Sequence, residues 1–326
     1  MSAAERRPEG GNPVLNRVAI TLTLVLVILY ALNQPQKTPS ITLAFLGDVM
    51  LGRGVAAAHP TGDWATTLAA LKPELSNADL VLANLESPLT NSPSMVPPGG
   101  YDLRASPSSV QALVSAPIDV VSLANNHSLD GGQVGLEDSL EVLRANGLKA
   151  LVPRGSAWNT TVQGIKLSFL AYDCISTPFD VDRAKQDIAL ARSEGSFVIV
   201  SLHWGGEYRA GPEPGQIAVA QTLVDSGAGI IWGHHPHVLQ PLTWMSGVAQ
   251  PRRALVAYSL GNALFDQPAP PDASRGAVLL VTLDQLGIRS VRAAPFEIDT
   301  HFGQVKSASP QSVEAICRRL GEIACQ

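Results

Sequence analysis

The stretch ITLAFLGDVMLGR (Ile41–Arg53) decides the fold class. Ile41–Leu46 is an apolar run that stops abruptly on Gly47 and Asp48. Such a run reads as a strand buried on both faces, and the loop leaving it is where ligands sit in open α/β sheets. Working outward, the same arrangement recurs in NLES (Asn84–Ser87), NNHSLDGG (Asn125–Gly132), HWGGEY (His203–Tyr208) and GHHPH (Gly233–His237). Each places Asp, Glu, Asn or His straight after an apolar run. Five of the seven histidines fall inside these stretches, so a metal site is the leading expectation.

Strands are expected at Ile41–Leu46, Leu80–Ala83, Val120–Leu123, Leu167–Ala171, Phe197–Leu202, Gly229–Ile231, Leu255–Tyr258 and Ala277–Leu283. Helical spacing covers Trp64–Leu75, Val134–Asn146, Val181–Glu194 and Ile217–Asp225, with Asp63 as an N-cap. Asn146-Gly147 and Ser226-Gly227 read as helix stops. Strands alternating with helices predict an α/β domain with parallel pairs. Hairpins near Val162–Ala171 and across Gly276–Arg292 add a mixed, two-sheet character. The Pro/Gly/Ser-rich Ser92–Gly100 and Pro268–Ser274 read as exposed loops beside a cleft.

The chain has 326 residues, 45% of them hydrophobic, and a formal charge of −5. No basic stripe appears, so a nucleic-acid partner is not expected. Residues 1–17 carry Arg6, Arg7 and Arg17 ahead of the uncharged Val18–Leu32, and a Pro/Gln/Ser-rich linker, residues 33–40, follows. A cleaved signal peptide lacks its pair of small residues near Ala31, and a core helix fits poorly beside that linker. An uncleaved membrane anchor at 18–32 fits better, with 1–17 cytoplasmic and 41–326 outside the membrane. Cys317 and Cys325, eight residues apart, are placed to bridge a terminal helix to its tail. Cys174 reads as a small apolar residue.

As coordination chemistry, Asp48, Glu86, Asn126, His203, His235 and His237 are the candidate ligands. Mixed carboxylate, amide and imidazole donors suit Mn, Fe or Zn, and the absence of thiolates argues against a structural zinc. Glu86 is the candidate bridge between two ions. His127, with Asn126, is the candidate catalytic group, placed to protonate a leaving group. Arg53 is the candidate for binding an anionic substrate group. Trp204, Glu207 and Tyr208 are weaker candidates to line the cleft, while His59, His234 and His301 receive no role.

These five stretches, followed by SLGNALFDQ (Ser259–Gln267), resemble in order the bacterial capsule-synthesis proteins of the CapA type. That family includes the poly-γ-glutamate capsule component PgsA and belongs to the calcineurin-like metallophosphoesterase superfamily. The resemblance covers roughly Ile41 to Ala294. It implies a four-layer α/β/β/α sandwich behind an amino-terminal transmembrane anchor, and a role in surface-polymer production or export. The implied partners are an anionic polymer or phosphoester substrate, the membrane, and other capsule-synthesis membrane proteins. Asn262 and Asp266 match the last motif without a derivable role. Met50 stands where the superfamily has a histidine, and Glu86 where it usually has Asp. One or two bound ions therefore both remain open, as does a non-catalytic scaffold for an anionic polymer. A general phosphatase unrelated to capsule is the weaker third expectation.

Overall fold

Why the segment Ile41–Leu46 forms a central strand is visible in how its side chains divide. Ile41, Leu43 and Phe45 enter one apolar cluster, while Ala44 and Leu46 enter another on the opposite face. Alternate residues of a strand point to opposite faces, so a strand sandwiched on both sides must be apolar throughout. The computed structural model describes residues 39–153, 157–248 and 253–321, with residues 14 and 325. The expected cytoplasmic segment, anchor and linker lie almost entirely outside these. Among the described residues no helix is long and apolar enough to cross a membrane.

The first sheet runs in the order β14 (Gln304–Ser307), β13 (Gly287–Asp299), β12 (Arg275–Asp284), β1 (Ser40–Val49), β2 (Leu80–Leu85), β3 (Val120–Ser122) and β4 (Lys149–Leu151). The short β11 (Asn262–Leu264) pairs with the end of β1. The run β1–β2–β3–β4 is parallel, whereas β12 is antiparallel to β1. The second sheet is β5 (Trp158–Val162), β6 (Ile165–Asp173), β7 (Phe197–His203), β8 (Ala228–His234), β10 (Ala254–Ala257) and β9 (Leu242–Met245). Its centre, β6–β7–β8–β10, is parallel.

Three apolar clusters make four layers. One lies between the sheets and joins Leu43, Phe45 and Leu82 to Phe169, Ile199, Ile230 and Trp232. The second covers the outer face of the first sheet with the helices Val110–Ser115 and Gly132–Ala145. The third covers the second sheet with Val181–Ser193 and Pro214–Ser226. Each fully buried Leu, Ile or Phe contributes about 1.5–3 kcal/mol. Trp232 also ties the sheets together by a polar contact, its indole N–H donating to the Leu46 carbonyl at 2.9 Å.

The expected strands appear with ends shifted by up to three residues, and Gly147 and Gly227 take positive φ past their helices. Trp64–Leu75 departs from expectation. It is two 3-10 turns, Trp64–Thr66 and Ala69–Leu71, followed by the single helical turn Lys72–Leu75. Trp64, Leu68, Leu71 and Leu75 are buried with the helical spacing that suggested one helix. Pro73, however, has no N–H to continue an α-helix from residue 69. Asp63 precedes the first turn but makes no side-chain cap bond. Cys317, on the helix Pro310–Leu320, is bridged to Cys325.

Candidate metal centre

All the ligand-bearing stretches leave parallel strands at their carboxyl ends, so the chain direction alone carries them to one edge of both sheets. Backbone fit then fixes Asp48. Gly47 runs so close to β11 that a Cβ there would lie 1.9 Å from the Gly261 carbonyl, and the Asp48 N–H donates to that same oxygen at 2.9 Å. Gly233 performs the corresponding service for β8, where a Cβ would meet the Tyr258 carbonyl at 2.0 Å. Only glycine allows these approaches.

Asp48 is fully buried. Its Oδ1 accepts the Asn84 amide at 2.8 Å, and its Oδ2 accepts the His235 backbone N–H at 3.2 Å and lies 3.3 Å from His237 Nδ1. Asn84 in turn accepts from the Asn125 amide at 3.1 Å, while Asn125 also donates to the Leu85 carbonyl at 2.9 Å. This asparagine relay joins the carboxyl ends of β1 and β2 to the loop after β3. His203 Nε2 lies 3.2 Å from His235 Nδ1 and 3.6 Å from Glu86 Oε1. His237 Nε2 lies 3.9 Å from the same Glu86 oxygen. Besides a cluster of Glu207, His235 and His237, two donor clusters result among the described residues, Glu86–His203–His235 and Asp48–Glu86–His237, each with its ligand atoms within 4.8 Å of one another. Glu86 belongs to both.

The backbone of GHHPH turns sharply to bring this about. His235 and His237 take φ of 92° and 57° around Pro236. Residues other than glycine enter this region at a cost, and they remain there only where surrounding bonds hold them. Here the Asp48 carboxylate grips the His235 N–H, and the Tyr208 N–H donates to the Pro236 carbonyl at 2.8 Å. Asn262 accepts or donates nothing at random: its amide oxygen meets His237 Nδ1 at 3.0 Å, and its amide nitrogen is fixed by Gln267 and by the Ala273 carbonyl, each at 3.0 Å. With Nδ1 so engaged, Nε2 of His237 is the ring nitrogen on the Glu86 side.

The electrostatics are those of carboxylates and imidazoles crowded together out of water. Glu86 is fully buried and neither of its carboxylate oxygens has a hydrogen-bond partner. Burial holds its pKa well above the ordinary range, with Asp48, Glu207 and Asp130 adding to the effect and His237 opposing it. Burial would also raise Asp48, but its bonds and attraction to His237, with His234 and Asn84, hold it below its usual value. His203 is pushed well down by burial and then by its histidine neighbours. His235 falls to about 4, through burial and then His237. Burial works against protonating His237, yet Glu86 and Asp48 prevail and raise it to about 9. An isolated buried carboxylate is costly, and a bound cation removes that cost. The donor set, free of thiolate and mixed in carboxylate and imidazole, fits a divalent cation.

The other candidates fall around this core. Asn126 presents a buried amide oxygen without a hydrogen-bond partner. His127 is half-buried, and its Nδ1 meets Asp130 Oδ2 at 2.9 Å, while the same oxygen accepts the Leu103 N–H at 2.8 Å. Arg53 makes a 2.9 Å ion pair with Asp266 and sits 5.4 Å over the Tyr101 ring. Asp266 also accepts the Gly54 N–H at 2.9 Å, so part of the Arg53 fork is already engaged. His234 is fully buried against Trp232, with Nδ1 at 3.5 Å from Asp48 Oδ1. Met50 is a core residue: it is fully buried in the outer apolar cluster, and its sulfur accepts the Gly52 N–H at 3.1 Å. His59 bonds the Gly303 carbonyl at 3.0 Å, away from the centre.

Sequence reasoning did not assign roles to Asn84, Asn125, Asp130, Asn262 or Asp266. All five lie inside the quoted stretches, so their neighbourhood was legible while their partners were not. A side chain that orients a donor need have no donor character of its own, and for Asn84, Asn125, Asn262 and Asp266 the partner comes from a distant part of the chain.

Two sheets bearing the candidate ligands at one edge and covered on their outer faces by helices make a four-layer α/β/β/α sandwich. A solved structure described as a novel phosphatase from Mycoplasma pneumoniae matches it with a TM-score of 0.53 at 14% identity, covering 85% of this chain and 97% of that one. At that identity the likeness concerns the fold alone. The family model "Bacterial capsule synthesis protein PGA_cap" matches residues 42–267, and the chain belongs to that family. It is 30% identical over 288 residues to the capsule biosynthesis protein CapA of Bacillus anthracis, spanning 77% of this chain and 68% of the relative. It is 28% identical over 280 residues to the PGA biosynthesis protein CapA of Bacillus subtilis, spanning 77% and 72%.

Proposed function

We propose that this chain is a membrane-anchored, extracytoplasmic component of capsule or poly-γ-glutamate-type exopolymer biosynthesis with a metal-dependent hydrolytic site. Family membership supports the biological setting. The observation that carries the chemistry is Glu86, a buried carboxylate with two unpartnered oxygens shared between two donor clusters. In this proposal Asp48, Glu86, Asn126, His203, His235 and His237 hold one or two ions of the Mn, Fe or Zn class. Bound there, such ions would polarise an oxygen of the scissile group and ease the deprotonation of water.

The chain's own residues do the rest. His127 delivers a proton to the leaving group, with Asp130 occupying Nδ1 so that Nε2 carries the exchangeable proton. Arg53, steadied by Asp266 and Tyr101, attracts an anionic group of a phosphoester or polymer substrate. The burial of Asp48, Glu86 and His203 keeps bulk water from screening these charges. The anchor is the apolar run Val18–Leu32, preceded by Arg6, Arg7 and Arg17. A Cys317–Cys325 bridge agrees with an oxidising, extracytoplasmic compartment.

The test uses purified full-length protein in detergent, loaded with Mn or Zn and offered an aryl phosphomonoester and phosphodiester. Hydrolysis is expected, and His127→Ala should lower it at least 100-fold with ion content unchanged. A His127→Ala protein as active as its parent removes His127 from the mechanism. A second function is favoured by one observation, the burial of Met50 in the core where the superfamily offers a ligand. It is a scaffold that binds an anionic polymer without turnover, and the parent protein would then retain no ion after dialysis.

A further inference from the structure

Glu207 differs from every other acidic group near the centre. It is exposed, on the loop that follows β7, whereas Asp48 and Glu86 are fully buried. Its carboxylate nevertheless lies with the ring nitrogens of His235 and His237 in a cluster whose ligand atoms are within 4.8 Å of one another. The loop that carries it is held in place on both sides. The Tyr208 N–H donates to the Pro236 carbonyl at 2.8 Å, and the Gln267 amide reaches the Tyr208 hydroxyl at 2.8 Å. The Gln240 amide donates to the carbonyls of Arg209 at 3.0 Å and Gly211 at 3.2 Å.

Each of the two clusters that contain Glu86 has three donors, one short of a tetrahedral set and further from an octahedral one, and Glu207 shares His235 with one of them and His237 with the other. Met50 does not supply the missing donor, because its side chain is committed to the apolar cluster and to the Gly52 N–H. We propose that Glu207 is a further metal ligand on the His235 and His237 side of the centre, a donor from the loop after β7 where Met50, just past β1, contributes none. This rests on the metal-centre function proposed above. As the exposed member of an otherwise buried donor set, Glu207 is also the ligand that an incoming substrate oxygen can displace without exposing the core.

The experiment is Mn2+ binding to chelator-stripped, full-length protein in detergent, followed by calorimetry and by the electron paramagnetic resonance of free Mn2+. Glu207→Ala is expected to weaken the weaker of two ions, or the sole ion, about 100-fold, with the thermal midpoint of the metal-free protein unchanged because the side chain is exposed. Glu207→His, which restores a donor, should recover most of the affinity, whereas a merely structural role for the loop would give no such rescue. Glu207→Ala protein that binds Mn2+ within threefold of its parent overturns the role of Glu207 and leaves the metal centre standing. A parent protein that binds neither Mn2+ nor Zn2+ overturns both.

Discussion

The two ends of the parallel strands treat polar groups in opposite ways. At the amino ends, Asp79 accepts the Thr42 N–H and the Gln163 amide, each at 2.7 Å, the second contact joining the two sheets. Asp119 accepts the Val81 N–H at 2.8 Å, and Asp284 accepts the Leu286 N–H at 2.7 Å. At the carboxyl ends, the buried Glu86 and His234 and the half-buried Asn126 have buried side-chain atoms without a hydrogen-bond partner. Arg53, Tyr208, His235 and His237 there take positive φ, against Pro117 and Gln163 at the amino ends. One end is satisfied by the chain itself. The other holds buried polar atoms that the chain itself leaves without hydrogen bonds, as the proposed metal centre requires.

That contrast can be broken most severely where the backbone itself makes the site. Gly47→Ala should destabilise the fold by about 3 kcal/mol or more, since the new Cβ meets a backbone carbonyl that cannot swing aside. Chemical denaturation reads this, and a midpoint near that of the parent would show that β11 can shift away from β1. Glu86→Gln acts on charge instead of shape. It should weaken ion binding about 100-fold, close to 2.7 kcal/mol, while raising the thermal midpoint of the metal-free protein by a few degrees. A lowered midpoint would mean that the carboxylate is already compensated within the apo protein.

At the opposite end the expected signs reverse. Asp79→Ala should cost about 1 kcal/mol by removing contacts to Thr42 and Gln163, with ion affinity unaltered. Any change in ion affinity would show that the two ends communicate. The smallest effect concerns Cys174, which follows β6 at the ligand-bearing end and whose N–H donates to the His203 carbonyl at 2.9 Å. Burial, and then Asp173, push its thiol up to about 12. Its reactive thiolate is therefore scarce at pH 8 and grows as pH rises toward that value, so alkylation should run on the order of 1,000-fold slower than for an unperturbed cysteine at pH 8. Rapid labelling at that pH would place the thiol in a more open setting.

Much of this arrangement is legible in the sequence. The apolar runs identified the central strands because a doubly buried strand tolerates few polar residues, and their carboxyl ends marked the ligand loops. Trp64–Leu75 was misleading for a related reason: 3-10 turns and an α-helix can bury the same four residues, and only Pro73 betrayed the break. The short strands β4, β9, β11 and β14 are three or four residues each, too short for a period to register. Glu86 and His237 were recognisable as donors, whereas the orientation of His237 by Asn262, 25 positions away, was not.

The sequence by itself determined which residues end the buried strands, and hence which donors stand at the ligand-bearing edge, because burial and strand direction are written in local composition. Tertiary structure alone decided that Glu86 lies between two clusters, that Met50 turns into the core, and that exposed Glu207 reaches His235 and His237. Those outcomes depend on distances of a few ångströms between segments far apart in the chain, set by how two twisted sheets pack, and no local pattern encodes them.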